Sequence, residues 1–338
     1  MPDDEAMDKR VSVIVLNWNG KQYLEECFLS LLAQTRPPDE IILVDNGSDD
    51  GSVEFVAERF PQVKVIRNDE NLGFAAGNNV GIRVAQGDYI VTLNNDTRVD
   101  PHWLEELVKV AEGDHRVGMC ASKMLFYHHA GIINSTGIRI DRAGIAWDRL
   151  GGERDDGLET EPIEVFGPCA GAALYRREML EDVGLFDEDF FCYHEDVDLA
   201  WRARLRGWRC IYNPRAIVHH IHSGTGMEGT PFKNRLLGRN KIWTIVKNYP
   251  APQLFVFLPL IVFYDLAAIL YSLIKKRDIS PLQGRLAGLG SLPKMWRKRR
   301  EIQRRRNCSG MSWFSPLVDP ITMLKRYERF QSFIVSRG

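Results

Sequence analysis

Residues 11–18 read VSVIVLNW, an apolar run rich in β-branched side chains that stops at Asn19-Gly20. A run of this kind, closed by turn residues, predicts a buried strand. Tyr23, Leu24, Cys27, Phe28, Leu31 and Leu32 then recur at the spacing of one helix face. Residues 40–44, EIILV, predict a second strand, ended by DNGSDDG at 45–51. Helix is expected over 52–59, a third strand over 63–67, helix over 74–86, and a fourth strand, YIVTL, over 89–93. Strand–helix alternation at this rhythm gives parallel βαβ units, hence an α/β fold with a doubly wound, mostly parallel sheet. Pro101 suits the first turn of a helix over 101–111. Residues 126–165 predict loops or hairpins over the site. Residues 166–175, FGPCAGAALY, are small enough for backbone to approach a ligand or another strand. A helix through Trp201 stops at Gly207, and two short strands are expected over 208–212 and 216–221.

Ligands of such sheets lie beyond the carboxyl ends of the strands. That rule singles out Asn17, Asp45 and the run Asn94-Asn95-Asp96. Any one of them is equally well explained as a turn former or helix cap. Three in register point to one polar crevice. No G-x-G-x-x-G follows the first strand and no G-x-x-x-x-G-K-[ST] occurs, which disfavours dinucleotide and P-loop chemistry. The densest stretch is CYHEDVDL at 192–199, followed by HHIH at 219–222. Acids at a helix start are favoured by the macrodipole alone. Three histidines within four residues, in a chain of eight, are less easily explained that way. Asp96 beside Asn94 suits a hard cation, since Mg²⁺ takes one or two carboxylates and completes its shell with substrate phosphates. The Glu195-Asp196 pair supplies a separate carboxylate able to take a proton from an incoming hydroxyl. One of His219, His220 and His222 could be a further metal ligand; strand-end packing is the plain alternative.

Residues 11–225 resemble a family 2 glycosyltransferase of the GT-A fold. The resemblance is carried, in order, by VSVIVLNWNG (11–20), ILVDNGSDDGS (42–52), NLGFAAGNN (71–79), GDYIVTLNND (87–96), FDEDFFCYHEDVDLAWRARLRG (186–207) and AIVHHIHSGT (216–225). It implies an inverting enzyme that uses a nucleoside-diphosphate sugar and a divalent cation, Mg²⁺ or Mn²⁺. By that pattern Asp45 contacts the nucleotide base with Asn17 nearby, and Asn46, Asn78, Asn94 and Asn95 belong to the nucleotide-sugar site. Asp96 is the last acid of a D-x-D motif whose first acid is here Asn94. Asp196, beside Glu195, is the catalytic base. His220 is the metal-binding histidine, by its H-x-x-S-x-T spacing to Ser223 and Thr225. Processive synthases of the family carry Q-x-x-R-W. The nearest string here, Gln303 to Asn307, ends in Asn, which implies a non-processive enzyme. The variant with a long basic tail looks most like rhamnosyltransferases of cell-surface polysaccharide assembly. The expected partners are a dTDP-, UDP- or GDP-linked sugar and a lipid-linked or polysaccharide acceptor. A sugar nucleotidyltransferase is the rival reading, but LNWNGKQY at 16–23 is a poor phosphate loop. A non-catalytic scaffold is the third reading, and it leaves Asp96 and Asp196 without a purpose.

Charge divides the 338 residues. Residues 1–231 hold 23 Lys/Arg against 40 Asp/Glu, 232–274 hold five against one, and 275–338 hold sixteen against four. The expected division is a catalytic domain over 1–231, with a nucleotide-binding half (1–100) and an acceptor half (101–231), and a helical extension over 232–338. A basic tail of this kind suits an anionic membrane surface rather than nucleic acid, for which no recognised module is present. Leu254–Ile274 is apolar apart from Asp265, about the length that crosses a bilayer. A single crossing would place the basic tail opposite a body that needs cytosolic substrates, against the positive-inside rule. An interfacial or re-entrant segment on the cytoplasmic face, with Leu282, Leu286, Leu289 and Trp296 toward lipid, is therefore expected. The alternative is a helical hairpin buried on the body or an oligomer interface. The acidic start MPDDEAMDKR has no secretory pattern, and six scattered cysteines without a C-x-x-C pair fit a reducing compartment.

Overall fold

Val11, Val13, Ile14 and Val15 are wholly buried because β1 (Val11–Asn17) has a parallel neighbour on each side. A strand covered on both faces needs a continuous apolar run rather than an alternating one. The structure, a computed structural model, describes residues 9–157, 159–222, 230–308 and 312–335. After β1 come α1 (Lys21–Leu32), β2 (Glu40–Asp45), α2 (Ser52–Arg59), β3 (Lys64–Arg67), α3 (Gly73–Val84) and β4 (Tyr89–Asn94). Strands β3, β2, β1 and β4 lie side by side, all parallel, as the βαβ rhythm requires.

The sheet beyond β4 is mixed. The chain continues through β5 (Thr97–Val99), α4 (Trp103–Gly113), β6 (Val117–Phe126), β7 (Ile133–Ser135), the hairpin β8 (Ile138–Ile140) and β9 (Ala146–Asp148), and β10 (Ile163–Val165). It then forms β11 (Ala172–Arg176), α5 (Arg177–Val183), α6 (Glu195–Arg206) and β12 (Arg209–His220). β11 inserts antiparallel between β4 and β6, and β12 pairs parallel with β6. β6 and the insertion of β11 carry no clear sequence signal. The two short strands expected over 208–221 are one strand, with a register shift between Asn213 and Ile217 around Pro214. Proline has no N–H for the ladder, so the interruption falls there. One apolar layer joins α1, α2 and α4 to one face of the sheet; a second joins α3, α5 and α6 to the other.

The extension returns to the body. Its first helix, α7 (Pro231–Asn248), has Thr230 Oγ1 accepting from the Lys233 N–H (3.3 Å) and Pro231 in its first turn. It turns a buried polar face to the catalytic domain: Lys247 Nζ lies 2.5 Å from Asp187 and 2.7 Å from Asp198, and Asn248 Nδ2 donates to Asp198 (2.7 Å). Next is α8 (Ala251–Tyr271), the one described helix long and apolar enough to cross a membrane. Only Ile261 and Asp265 of it are buried, while Phe255, Val256, Val262, Phe263 and Leu270 are exposed. Asp265, the charge that interrupts the apolar run, pairs with Lys241 (3.2 Å) and Arg285 (2.5 Å). α9 (Ser280–Gly290) lies so close on α7 that a Cβ at Gly284 would stand 2.1 Å from the Arg235 carbonyl oxygen. In α10 (Leu292–Arg304), Lys294 pairs with Asp189 (2.6 Å) and Lys298 with Asp187 (2.5 Å). Part of the tail's positive charge thus answers the acidic stretch 182–189 of its own body. α11 (Pro320–Val335) ends the described chain. All six cysteines are free.

Candidate active site

The carboxyl ends of β1, β2 and β4 are joined by their side chains. Asn95 Nδ2 donates to Asn17 Oδ1 (2.6 Å), and Asn17 Nδ2 donates to Asp45 Oδ2 (2.8 Å). Asp45 also accepts from the Ser48 N–H (2.8 Å) and hydroxyl (2.7 Å). Glycine is required at position 20, because a Cβ there would fall 2.0 Å from Asn95 Nδ2. The relay borders a cleft of about 670 Å³ that Asn17, Asn46, Asn94, Asn95 and Asp96 line. Asp45 and Asn78 are not on its wall. Asp45 is wholly buried beneath Asn17, and Asn78 is buried with its Nδ2 on the Phe74 carbonyl (2.9 Å) and its Oδ1 unpartnered. Asn46 holds the next loop, donating to Gly73 O (3.0 Å) and accepting from Asn68 (2.9 Å).

Alternation along β12 separates the histidines. His219 points outward to Asp100 (3.2 Å). His220 points into the cleft, with Nε2 3.1 Å from Asp96 Oδ1 and 3.2 Å from Asn94 Nδ2. Its Nδ1 meets Asn134 Oδ1 (2.9 Å). A hydrogen bond on the far nitrogen is the usual support of a ligating imidazole, so Nε2 and the Asp96 carboxylate together make a donor pair that suits a cation. His222 also lines the cleft and meets Asn134 through Nδ1 (3.2 Å). Ser223 and Thr225 lie outside the described residues. Among the described residues no group of three or more His, Cys, Asp and Glu is placed to hold a metal ion. Asp96 and His220 therefore fit a cation that takes its remaining ligands from a substrate diphosphate.

The acids at the start of α6 divide by direction. Asp198 faces the body, where, against the rise that burial alone would give, Lys247 (2.7 Å) and Arg202 (2.9 Å) hold its carboxyl below the ordinary range. Glu195 and Asp196 face the cleft. Burial, reinforced by Asp196, pushes Glu195 well up, and its Oε2 has no hydrogen-bond partner among the described residues. Burial also lifts Asp196, to about 6, against a hydrogen bond from the Val197 N–H (2.8 Å) and a longer one from Ala170 N–H (3.4 Å). Two carboxyls with raised pKa values thus stand side by side at the cleft, the kind of environment that general acid–base chemistry uses. The loop bearing Ala170 approaches closely because a Cβ at Gly167 would stand 2.4 Å from Ala200 Cβ, which accounts for the small residues of 166–175.

The turn that presents these acids is strained. Phe191, Tyr193 and His194 all have φ between 65° and 70°. Such conformations persist only where surroundings over-determine them. Here Asn240 of α7, wholly buried, sets its Nδ2 on the carbonyls of Phe190 (3.0 Å), Cys192 (2.9 Å) and Tyr193 (2.7 Å). Asn240, Asn134 and Asp148 escape a sequence reading, since each is a lone polar residue in an unremarkable stretch. Asp148 lines the cleft from β9, and burial raises its carboxyl. Trp18 and Trp147 add aromatic surface. α11 closes one side of the cleft with Met323, Arg326, Tyr327 and Phe330.

Comparison with known proteins agrees with this geometry. The chain is similar to N-acetylglucosaminyl-diphospho-decaprenol L-rhamnosyltransferase of Mycobacterium tuberculosis, 28% identical over 242 residues, 64% of this chain and 78% of that protein. It is 31% identical to O-antigen biosynthesis protein RfbC of Myxococcus xanthus over 66% of this chain and 18% of that one. A solved structure of GalNAc-T7 with UDP, GalNAc and Mn²⁺ superposes with a TM-score of 0.59 at 18% identity, over 72% of this chain and 48% of its own, which shows a shared GT-A-like fold. Residues 12–184 match the model of Glycosyl transferase family 2. Over half its length, a stretch that includes the strand-end crevice, the chain belongs to glycosyl transferase family 2 and is a glycosyltransferase.

Proposed function

We propose that the chain is an inverting, non-processive transferase that moves a sugar, rhamnose by the name of its mycobacterial relative, onto a hydroxyl of a lipid-linked acceptor. The observation that carries this reading is that Asp196, lifted to about 6 and without an ion pair among the described residues, shares one cavity with the Asp96–His220 pair. Asn17, Asn46 and Trp18 take the nucleotide side, with Asp45 fixing Asn17 from beneath. Asp96 and His220 would hold Mg²⁺ or Mn²⁺, which supplies positive charge against the donor diphosphate. Asp196 accepts the acceptor hydroxyl's proton as that oxygen attacks the anomeric carbon from the face opposite the leaving group. Glu195, whose carboxyl burial pushes well up, stands beside Asp196 with Oε2 free of a partner among the described residues. General-base action accounts for about 10²–10⁴-fold, and positioning for much of the rest.

The extension favours a place on the cytoplasmic face of the membrane, α8 lying along the interface. Its Asp265 is tied to α7 and α9, and α10 and α11 return to the catalytic body, so α8 does not carry the basic tail away from the cleft. The test is transfer from dTDP-, UDP- and GDP-sugars with and without Mn²⁺, together with Asp196→Asn. One donor should give metal-dependent transfer, and the variant should bind that donor and fail to turn over. Full turnover by the variant would remove Asp196 as the base.

A further inference from the structure

Arg139 on β8 and Arg326 on α11 both line the cleft. Neither makes a hydrogen bond or ion pair with the described residues, although both face a cleft that also holds carboxylates. The nearby carboxylates are taken: Glu159 by Arg149, Glu153 by Arg329, and Glu328 by the Tyr271 hydroxyl (3.0 Å). Arg139 is also half-buried, and burial together with the like charges of Arg149 and Arg326 lowers its pKa. Holding the half-buried Arg139 guanidinium beside the like charges of Arg149 and the exposed Arg326 is unfavourable unless an anion completes the group. The planar guanidinium matches phosphate oxygens two at a time.

α11 adds a direction. It reaches into the cleft with Arg326 and Phe330, and it and the residues just before it are also fastened to the apolar α8 and the turn that follows α8. Tyr264 donates to Val318 O (2.9 Å), Tyr271 donates to Glu328, and Lys276 sits 4.5 Å from the centre of the Tyr327 ring. The helix bearing Arg326 therefore joins the acid Asp196's cleft to the exposed apolar surface. A sugar, then a diphosphate, then a lipid is the order of chemistry that these three regions match.

We propose that Arg139 and Arg326 form an anion subsite that takes the phosphate or diphosphate joining the acceptor sugar to its lipid. The inference rests on the lipid-linked acceptor reading above. Its test uses the full chain with nucleoside diphosphate and Mn²⁺ saturating the donor side. Farnesyl diphosphate is titrated against tryptophan fluorescence in wild type, Arg326→Gln and Arg139→Gln/Arg326→Gln. Arg326 is exposed, so its single variant should fold. The dissociation constant is expected to rise about tenfold in the single variant and up to about a hundredfold in the double. Transfer is then compared between a farnesyl-diphospho-sugar and the octyl glycoside of the same sugar. The wild type's preference for the phosphorylated acceptor should collapse in the double variant through KM, with donor affinity held within twofold.

Unchanged farnesyl diphosphate binding in both variants would overturn the subsite. Equal loss on both acceptors, with loss of flotation on phosphatidylglycerol vesicles, would assign the arginines to lipid headgroups and overturn it too. Weakened farnesyl diphosphate binding with no transfer to either acceptor would keep the subsite and overturn the acceptor reading instead.

Discussion

On the strand-end side of the cleft, Asn95, Asn17, Asp45 and Ser48 satisfy one another in a closed relay. On the α6 side, Glu195 Oε2 has no partner, Asp196 is lifted to about 6, and three residues before them hold left-handed backbone. The first side is a stable frame and would keep its shape with or without substrate. The second stores unfavourable electrostatics and strain, and depends on α7 to hold it. Binding can be delegated to a relaxed surface, whereas proton transfer needs a group held away from its preferred state. The contrast is sharpest between Asp196 and Asp198, two residues apart on one helix. One faces the cleft without a cation; the other is buried against Arg202 and Lys247.

The largest expected effect separates those two acids. Asp196→Asn should lower kcat by about 10²–10⁴-fold with donor affinity retained, as removal of a general base does. Stopped assays with the identified donor check it, alongside calorimetric donor binding. Asp198→Asn should act on folding instead. It leaves Lys247 buried without one of its two carboxylates, and removing one partner of a buried pair costs about 3–5 kcal/mol. Urea unfolding measures that loss. Equal effects of the two changes on kcat at equal stability would break the distinction between them.

Asn240→Leu tests whether strain on the α6 side is held from outside. The leucine fills the space but gives the carbonyls of Phe190, Cys192 and Tyr193 no donor. Unsatisfied buried acceptors cost about 1–3 kcal/mol. We expect kcat to fall about tenfold while the donor KM stays near wild type. A fall in stability with kcat unchanged would show that the turn keeps its geometry without α7.

The two sides also differed in how readily sequence revealed them. VSVIVLNW, EIILV and YIVTL are local patterns, and a parallel sheet converts their ends into one crevice by topology alone. Asn17 and Asn94–Asp96 were legible for that reason. So was the acidic start of α6, where four polar residues crowd one turn, although the spacing did not tell inward from outward. Strand alternation along β12 then distinguishes His220 from His219, which a sequence with an uncertain strand boundary cannot do. Asn134, Asp148 and Asn240 come from three separate elements and meet only through the mixed half of the sheet and the packing of α7. Asp45 was legible as a strand-end acid, but its burial beneath Asn17 depends on Ser48 folding back, a loop property without periodicity. The apolar run 254–274 was equally plain, while its orientation was decided by Lys241 and Arg285 around Asp265.

The smallest effects follow pH. With Asp196 at about 6, kcat/KM should rise about tenfold per unit below pH 6 and level off above it, since the carboxylate is the active form. Stability should run the other way. The folded pKa lies above the ordinary carboxylate value near 4, so ionising Asp196 costs the fold free energy that is absent below about pH 4 and complete above about pH 6. A lift of this size amounts to about 2–3 kcal/mol at most, less where the cleft admits water. Asp196→Asn removes that cost and should melt above wild type at pH 7.5, with the gap closing toward pH 4. For Asp198 the sign reverses: its folded pKa is lowered, so its ion pairs stabilise above about pH 4 and fail as pH falls through that lowered value. Across pH 4–8 the Asp196→Asn melt should therefore climb above wild type as pH rises, while the Asp198→Asn melt should stay below it by a nearly constant margin that closes only below about pH 4. Melts that fall together would mean that Asp196 too is a structural acid, and the base must be sought elsewhere in the cleft.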